Sequence, residues 1–243
     1  MRRPRLKYLA DNPVTNAGRV RQPRRNHRVW TPDEPRRFLA ETRGDRLFAM
    51  WLLFATTGTR RSEAAGARRE HIDLTARTIT LWETRVVAAG RAQTSDGKTA
   101  RSRRRLALDR RTADALAERL RSIAEERAAF GSDYDDHGLL FCRPDGRPLH
   151  PDTITDQFNR LVDRAGVPPI TLHDVRHTYA TMSLRAGVNP KIVSARLGHA
   201  TVAFTLDTYT TDVPELHHDA AEAVSSLFLA PDDADAQPPL DAD

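Results

Sequence analysis

His173-Asp174-Val175-Arg176-His177-Thr178-Tyr179-Ala180-Thr181 is the stretch from which the fold is best read. A helical pattern continues through it over 172–186, and His173 and Arg176, three apart, share one face of that helix. Alone the pair is ordinary, because a structural histidine satisfied by its neighbours is the commoner outcome. Three other clusters give it context. Thr57-Gly58-Thr59-Arg60-Arg61-Ser62-Glu63 puts Arg60 and Glu63 at ion-pair spacing. Lys98 sits in a loop at Asp96-Gly97-Lys98, and Leu197-Gly198-His199 is followed ten residues later by Tyr209. Gly198 reads as a helix terminus, Gly being the usual residue after a last turn.

Around these clusters the chain is mostly helical. Thr31-Pro32-Asp33-Glu34 offers a capping box with Pro at the first helical position, and Phe38 and Leu39 open an apolar face. A helix over Asp45–Thr57 is apolar almost all round and belongs at the centre. Gly58 ends it, and a short helix follows at about 60–67. Ile72–Leu74, Thr78–Val87 and Arg104–Leu108 read as strands, the last two joined by a hairpin loop around Asp96-Gly97-Lys98. Helical patterns then run over about 110–129, 152–165, 172–186, 190–197, 201–209 and 214–229. The predicted fold class is mostly α with a small antiparallel β-sheet (α+β).

Composition narrows the function. The 243 residues carry 38 Lys and Arg against 33 Asp and Glu, a net charge of +5. The charge is uneven: residues 1–30 hold eight arginines and Lys7 against Asp11, whereas 230–243 hold five Asp and no base. Only Lys7, Lys98 and Lys191 are lysines. No apolar run approaches the length of a membrane span, the longest being Leu47–Ala55, and the Met1 end lacks the apolar segment of a signal peptide. The lone Cys142 excludes a disulfide scaffold or a Cys-based zinc site and fits a cytoplasmic protein. Nucleic acid is the first partner such a basic chain suggests.

In their order, TGTRRSE, DGKTARSRRRLAL, HDVRHTYAT and LGHATVAFTLDTYT resemble the catalytic domain of the tyrosine recombinases, the phage integrase family, over about 31–229. The resemblance implies that domain's fold and a site-specific DNA recombinase working through a covalent 3′-phosphotyrosyl intermediate, without metal or other cofactor. It puts the first arginine on Arg60, its helix-mate acid on Glu63, the hairpin lysine on Lys98 and the second-box pair on His173 and Arg176. The third-box histidine falls on His199 and the nucleophile on Tyr209, while His177 lies outside the catalytic set. It further implies DNA contacts from Arg101, Arg103, Arg104 and Arg105 about the hairpin, and Arg61, beside Arg60, is expected to contact DNA as well. The expected partners are double-stranded DNA and further copies of the chain, a tetramer on DNA joined through the helix 214–229. The expected setting is bacterial or phage-derived and nucleoid-associated.

The chemistry agrees with these roles. A phosphodiester gains charge on its nonbridging oxygens as it is attacked, and arginine's planar fork matches those oxygens while staying charged at any working pH. Arg60, Arg176 and His199 would form that clamp. A tyrosine, with a pKa near 10, needs a base and a cationic field; His173 is the candidate base. The departing 5′ oxygen needs a proton, which lysine releases far more readily than arginine. In an arginine-dominated chain, Lys98 falls where that acid is expected.

Recombinases of this family usually carry a helical DNA-binding domain before the catalytic one. Here Asp11-Asn12-Pro13-Val14 resembles the end of such a domain. Residues 1–30 therefore read as a basic arm or linker remnant, 31–229 as the catalytic domain, and 230–243 as an acidic disordered tail. Two readings compete with recombination: an N-terminally truncated, catalytically idle DNA-binding module or regulator, and a metal-dependent phosphohydrolase built on His173-Asp174, His177 and His199. Type IB topoisomerases share the tyrosine chemistry.

Overall fold

The computed structural model describes residues 28–88, 91–96, 103–199 and 201–209. The described residues begin ahead of Thr31. Trp30, which the sequence reading leaves in the basic arm, is buried, its backbone N–H donating to Thr178 Oγ1 at 3.1 Å and its indole N–H to the Pro168 carbonyl at 2.8 Å. Its ring packs at a tilt against Phe38 and Phe158 at the heart of the core, centroids 5.4 and 6.2 Å away, so Trp30 is a core residue with a satisfied polar edge.

Helix α1 (Asp33–Glu41) starts one residue later than expected, with Pro32 as its N-cap. Half the capping box forms: the Thr31 N–H donates to Glu34 Oε2 at 2.6 Å. Helix α2 (Phe48–Thr57) is central, with seven of its residues buried, Ala49 through Phe54 and Thr57. Its start shifts from Asp45 to Phe48 because the Asp45 carboxylate accepts from Leu47 N–H at 2.8 Å and Trp51 Nε1–H at 3.0 Å, making a turn of those residues. Gly58 closes α2 in the left-handed region (φ 63°), and α3 (Arg61–Ala65) follows.

The β structure departs from the single expected sheet. Strands β1 (Ile72–Asp73), β2 (Thr78–Leu81) and β5 (Arg104–Ala107) form one antiparallel sheet, while β3 (Glu83–Ala88) and β4 (Arg91–Asp96) form a separate two-stranded ribbon. The expected strand Thr78–Val87 is thus divided at Trp82. Much of the expected hairpin loop is strand up to Asp96; Gly97 and Lys98 lie outside the described residues. Arg68 ties down the base of the ribbon through paired 2.7 Å bonds to Glu83.

Helix α4 (Arg110–Phe130), capped by Asp109 on the Thr112 N–H, packs against α2. Helix α5 (Pro151–Ala165) has Pro in its first turn and packs on α1. Helix α6 (Leu172–Arg185) carries the second box, its start fixed by a reciprocal Thr171–Asp174 capping box. It packs on α2 and then on α7 (Pro190–Leu197) through a small second core of Ala180, Leu184, Val193 and Leu197. Helix α8 (Val202–Tyr209) ends the described chain; the predicted helix 214–229 and the acidic tail lie outside the described residues. Among the described residues no helix is long and apolar enough to cross a membrane.

Candidate active site

Three separate segments meet through two arginines and a carboxylate. Arg176, buried in α6, donates from Nη1 to the Gly58 carbonyl at 2.8 Å and from Nη2 to the Leu197 carbonyl at 2.6 Å. One guanidinium therefore joins the turn before α3 to the end of α7. Close approach requires glycine there: a Cβ on Gly58 would stand 2.6 Å from Tyr179 Cδ1 and 2.7 Å from Leu197 Cδ2.

Arg60 precedes α3. Its backbone N–H donates to Glu63 Oε2 at 2.7 Å, its Nη1 to Glu63 Oε1 at 2.8 Å, and its Nη2 reaches toward the Gly198 carbonyl at 3.4 Å. Glu63 is buried and also takes both terminal nitrogens of Arg104, at 2.6 and 2.7 Å. Burial alone would raise the Glu63 pKa, but the bidentate Arg104 bonds, the Arg104 and Arg60 charges and the Arg60 N–H together hold it down at about 2.

Arg104, expected among the DNA contacts, is inside the protein. Its side chain is 8% exposed and its Nε donates to the Arg196 carbonyl at 2.8 Å, so its donors serve Glu63 and the end of α7. Its neighbours face outward. Arg103 lies 4.7 Å over the Trp82 ring, and Arg105 is exposed, donating to Thr78 Oγ1 at 2.9 Å. Arg61 is half-exposed and donates to Thr155 Oγ1 at 2.6 Å.

Arg60, Arg61, His173 and Arg176 line one open cavity of about 450 Å³. His199 follows the left-handed Gly198 cap of α7, and its Nδ1 is 2.8 Å from Thr205 Oγ1. Half-burial and then the charges of Arg176, Arg60, Arg104 and His173 push its pKa down to about 4, leaving the imidazole neutral at pH 7. His177 is buried and meets His173 edge-on at 4.7 Å. The backbone of Tyr209 closes α8, ten residues after His199; its side chain, together with Lys98 and Arg101, lies outside the described residues.

The arrangement suits an anion. Arg60 and Arg176, of fixed geometry, face the cavity together with Arg61, the neutral His199 ring lies beside these cations, and Arg104 holds the intervening acid Glu63. The metal reading fares differently. Asp174 is committed to capping α6, accepting from the Thr171 N–H at 2.9 Å and hydroxyl at 2.7 Å, and among the described residues no three His, Cys, Asp or Glu side chains gather as ligands. Sequence reasoning misplaced Arg104 among the DNA contacts and missed Thr205. Arg104 could have been found from strand alternation, which puts it on the face of the buried Leu106; Thr205 had no local signal.

Residues 28–215 match the family model described as the phage integrase family. A XerC-like tyrosine recombinase of Caldanaerobacter subterraneus is 27% identical over 240 residues, covering 91% of this chain and 61% of that protein. The ICEBs1 integrase of Bacillus subtilis is 24% identical, covering 90% and 60% respectively. The chain thus spans about 60% of the length of these relatives. Among solved structures, the Tn1549 transposon integrase in complex with transposon right end DNA aligns over 90% of this chain and 72% of its own, with a TM-score of 0.69 at 21% identity. The XerA recombinase aligns over 85% and 67%, with a TM-score of 0.65 at 23% identity. These likenesses and the family match agree with the boxes brought together at the cavity: the chain belongs to the phage integrase family, and its fold is that of a tyrosine recombinase catalytic domain.

Proposed function

We propose that this chain cleaves and rejoins DNA strands through Tyr209, as a site-specific recombinase of the integrase kind. The observation that carries the reading is the cavity lined by Arg60, His173 and Arg176, with His199 neutral beside the same cations. A phosphodiester held there by the two guanidinium groups is neutralised as charge grows on its nonbridging oxygens, and His199 adds an N–H donor. The Tyr209 oxygen attacks phosphorus and loses its proton to His173. The bond from phosphorus to the 5′ oxygen breaks, and Lys98 protonates the departing oxygen. A 3′-phosphotyrosyl ester and a free 5′ hydroxyl result. Attack by a 5′ hydroxyl reverses the steps and reseals a strand, so the cycle needs neither metal nor nucleotide.

Double-stranded DNA is the proposed substrate, in line with the solved Tn1549 integrase being bound to DNA. Arg61, Arg101, Arg103 and Arg105 are proposed to contact its phosphates, and Arg104 to act inside the protein. Assembly as a tetramer through 214–229 belongs to the same reading. The test uses short nicked duplexes of randomised sequence, which trap a covalent adduct when the cleaved end diffuses away. Wild-type protein gives an adduct that survives denaturation and Tyr209→Phe gives none; equal adduct from both would refute the assignment.

A further inference from the structure

Thr205 lies in α8, one turn before Tyr209, and its side chain is fully buried. A buried hydroxyl needs an acceptor for its proton, since leaving it unpaired is costly. Elsewhere in these helices the usual solution is the carbonyl one turn back. Thr56 donates to Leu52, Thr57 to Leu53, Thr178 to Asp174 and Ser183 to Tyr179, and Thr208, in the same helix as Thr205, donates to Phe204 at 2.6 Å. Thr205 breaks this pattern. Among the described residues no carbonyl accepts from it, and its hydroxyl lies 2.8 Å from His199 Nδ1.

That contact admits two proton arrangements. If Nδ1 carried the hydrogen, Thr205 would accept it and its own buried proton would need another acceptor. If Nδ1 is the bare nitrogen, Thr205 donates to it and both groups are satisfied by one bond. The second arrangement puts the imidazole proton on Nε2. A neutral ring is required for it, and burial of His199 among Arg176, Arg60 and Arg104 keeps the ring neutral. Phe204 meets the same ring edge-on at 4.9 Å, restricting its rotation.

We propose that Thr205 is a positioning residue that donates to His199 Nδ1 and so fixes the Nε2–H tautomer, the form able to donate to a phosphodiester oxygen. The proposal deepens the cleavage reading and rests on it for its consequence, but the tautomer is measurable without any cleavage. The bond also couples the end of α7 to the helix that carries Tyr209, so that phosphate donor and nucleophile share one mechanical link. Threonine suits the task because its branched side chain is stiff about χ1.

The experiment reads the His199 ring nitrogens by two-bond 1H–15N correlation at neutral pH in the full chain, with the signals assigned by their loss in His199→Gln. Wild-type protein shows the Nε2–H tautomer. Thr205→Val, which keeps the shape but has no hydroxyl, loses that single form and makes adduct with nicked duplexes of randomised sequence about 10- to 100-fold more slowly. Thr205→Ser restores the tautomer and most of the rate. An Nδ1–H tautomer in the wild type overturns the proposal, whether or not the valine variant folds, as does an unchanged tautomer in Thr205→Val. A Thr205-dependent tautomer in a protein that forms no adduct supports the positioning bond and overturns the cleavage reading instead.

Discussion

Glu63 and Arg104, forty-one positions apart, form a bidentate ion pair that is nearly closed to water, with side chains 7% and 8% exposed. The pair matters because Glu63 is also the partner of Arg60. Through Arg104 Nε the same chain of contacts reaches the Arg196 carbonyl at the end of α7, next to His199. One buried acid thereby fixes the orientation of a cavity arginine relative to the third box.

Breaking this pair leaves an uncompensated buried charge. Glu63→Gln and Arg104→Met are each expected to lower unfolding free energy by about 3–5 kcal/mol, whereas the double replacement Glu63→Leu/Arg104→Met costs much less than the sum. Urea unfolding of the set measures this. Single losses under about 1 kcal/mol would show that the pair is not a structural anchor.

Acid should weaken the fold in two overlapping windows. The folded His199 pKa, about 4, lies below its ordinary 6.5, so as pH falls from 6.5 the unfolded chain binds a proton the folded chain refuses, and stability is lost down to about 4. Glu63, held at about 2 against 4.5, contributes stability that is complete above 4.5 and lost as pH falls toward 2. Both slopes have the same sign. Urea midpoints followed downward from neutral pH should fall continuously, and His199→Gln should flatten the upper window while leaving the lower one.

Gly58→Ala is expected to destabilise by roughly 1–3 kcal/mol, since it forces a left-handed residue and a Cβ into Tyr179 and Leu197. Gly44→Ala is the control, because a Cβ there meets nothing within 4 Å. Thermal melts compare the two, and equal melting temperatures would contradict the close packing of the turn against α6 and α7.

Arg176→Lys keeps the charge but cannot hold the Gly58 and Leu197 carbonyls together. Adduct formation should slow by about 10²–10³-fold, with an accompanying loss of stability. A lysine variant within a few-fold of wild type would mean that charge alone suffices at this position.

Much of this was legible in the sequence, for identifiable reasons. The helices announce themselves by period and by end signals such as the Thr31–Glu34 box, Gly58 and Gly198, to which the structure adds the Asp109 cap and the Thr171–Asp174 box. The boxes containing Arg60, His173, Arg176 and His199 do meet around the Gly58 turn and the end of α7. Strand β4 escaped because Arg91-Ala92-Gln93-Thr94-Ser95-Asp96 shows no apolar alternation, and pairing with β3 makes the strand. Arg104 was hidden in a run of like charges, where composition suggests solvent and only strand parity shows that the middle arginine points inward. Trp30 was assigned by its basic neighbours although its own burial decides its place. Thr205 depends on a partner across a turn, which no periodicity reports.

Cleavage as proposed joins Tyr209 covalently to DNA. The direct measurement is mass spectrometry of the denatured adduct after protease and nuclease digestion. The expected product is a nucleotide phosphate carried on the peptide containing Tyr209, attached at the tyrosine oxygen through the 3′ position. A nucleotide on any other residue, or linkage through the 5′ position, would contradict it.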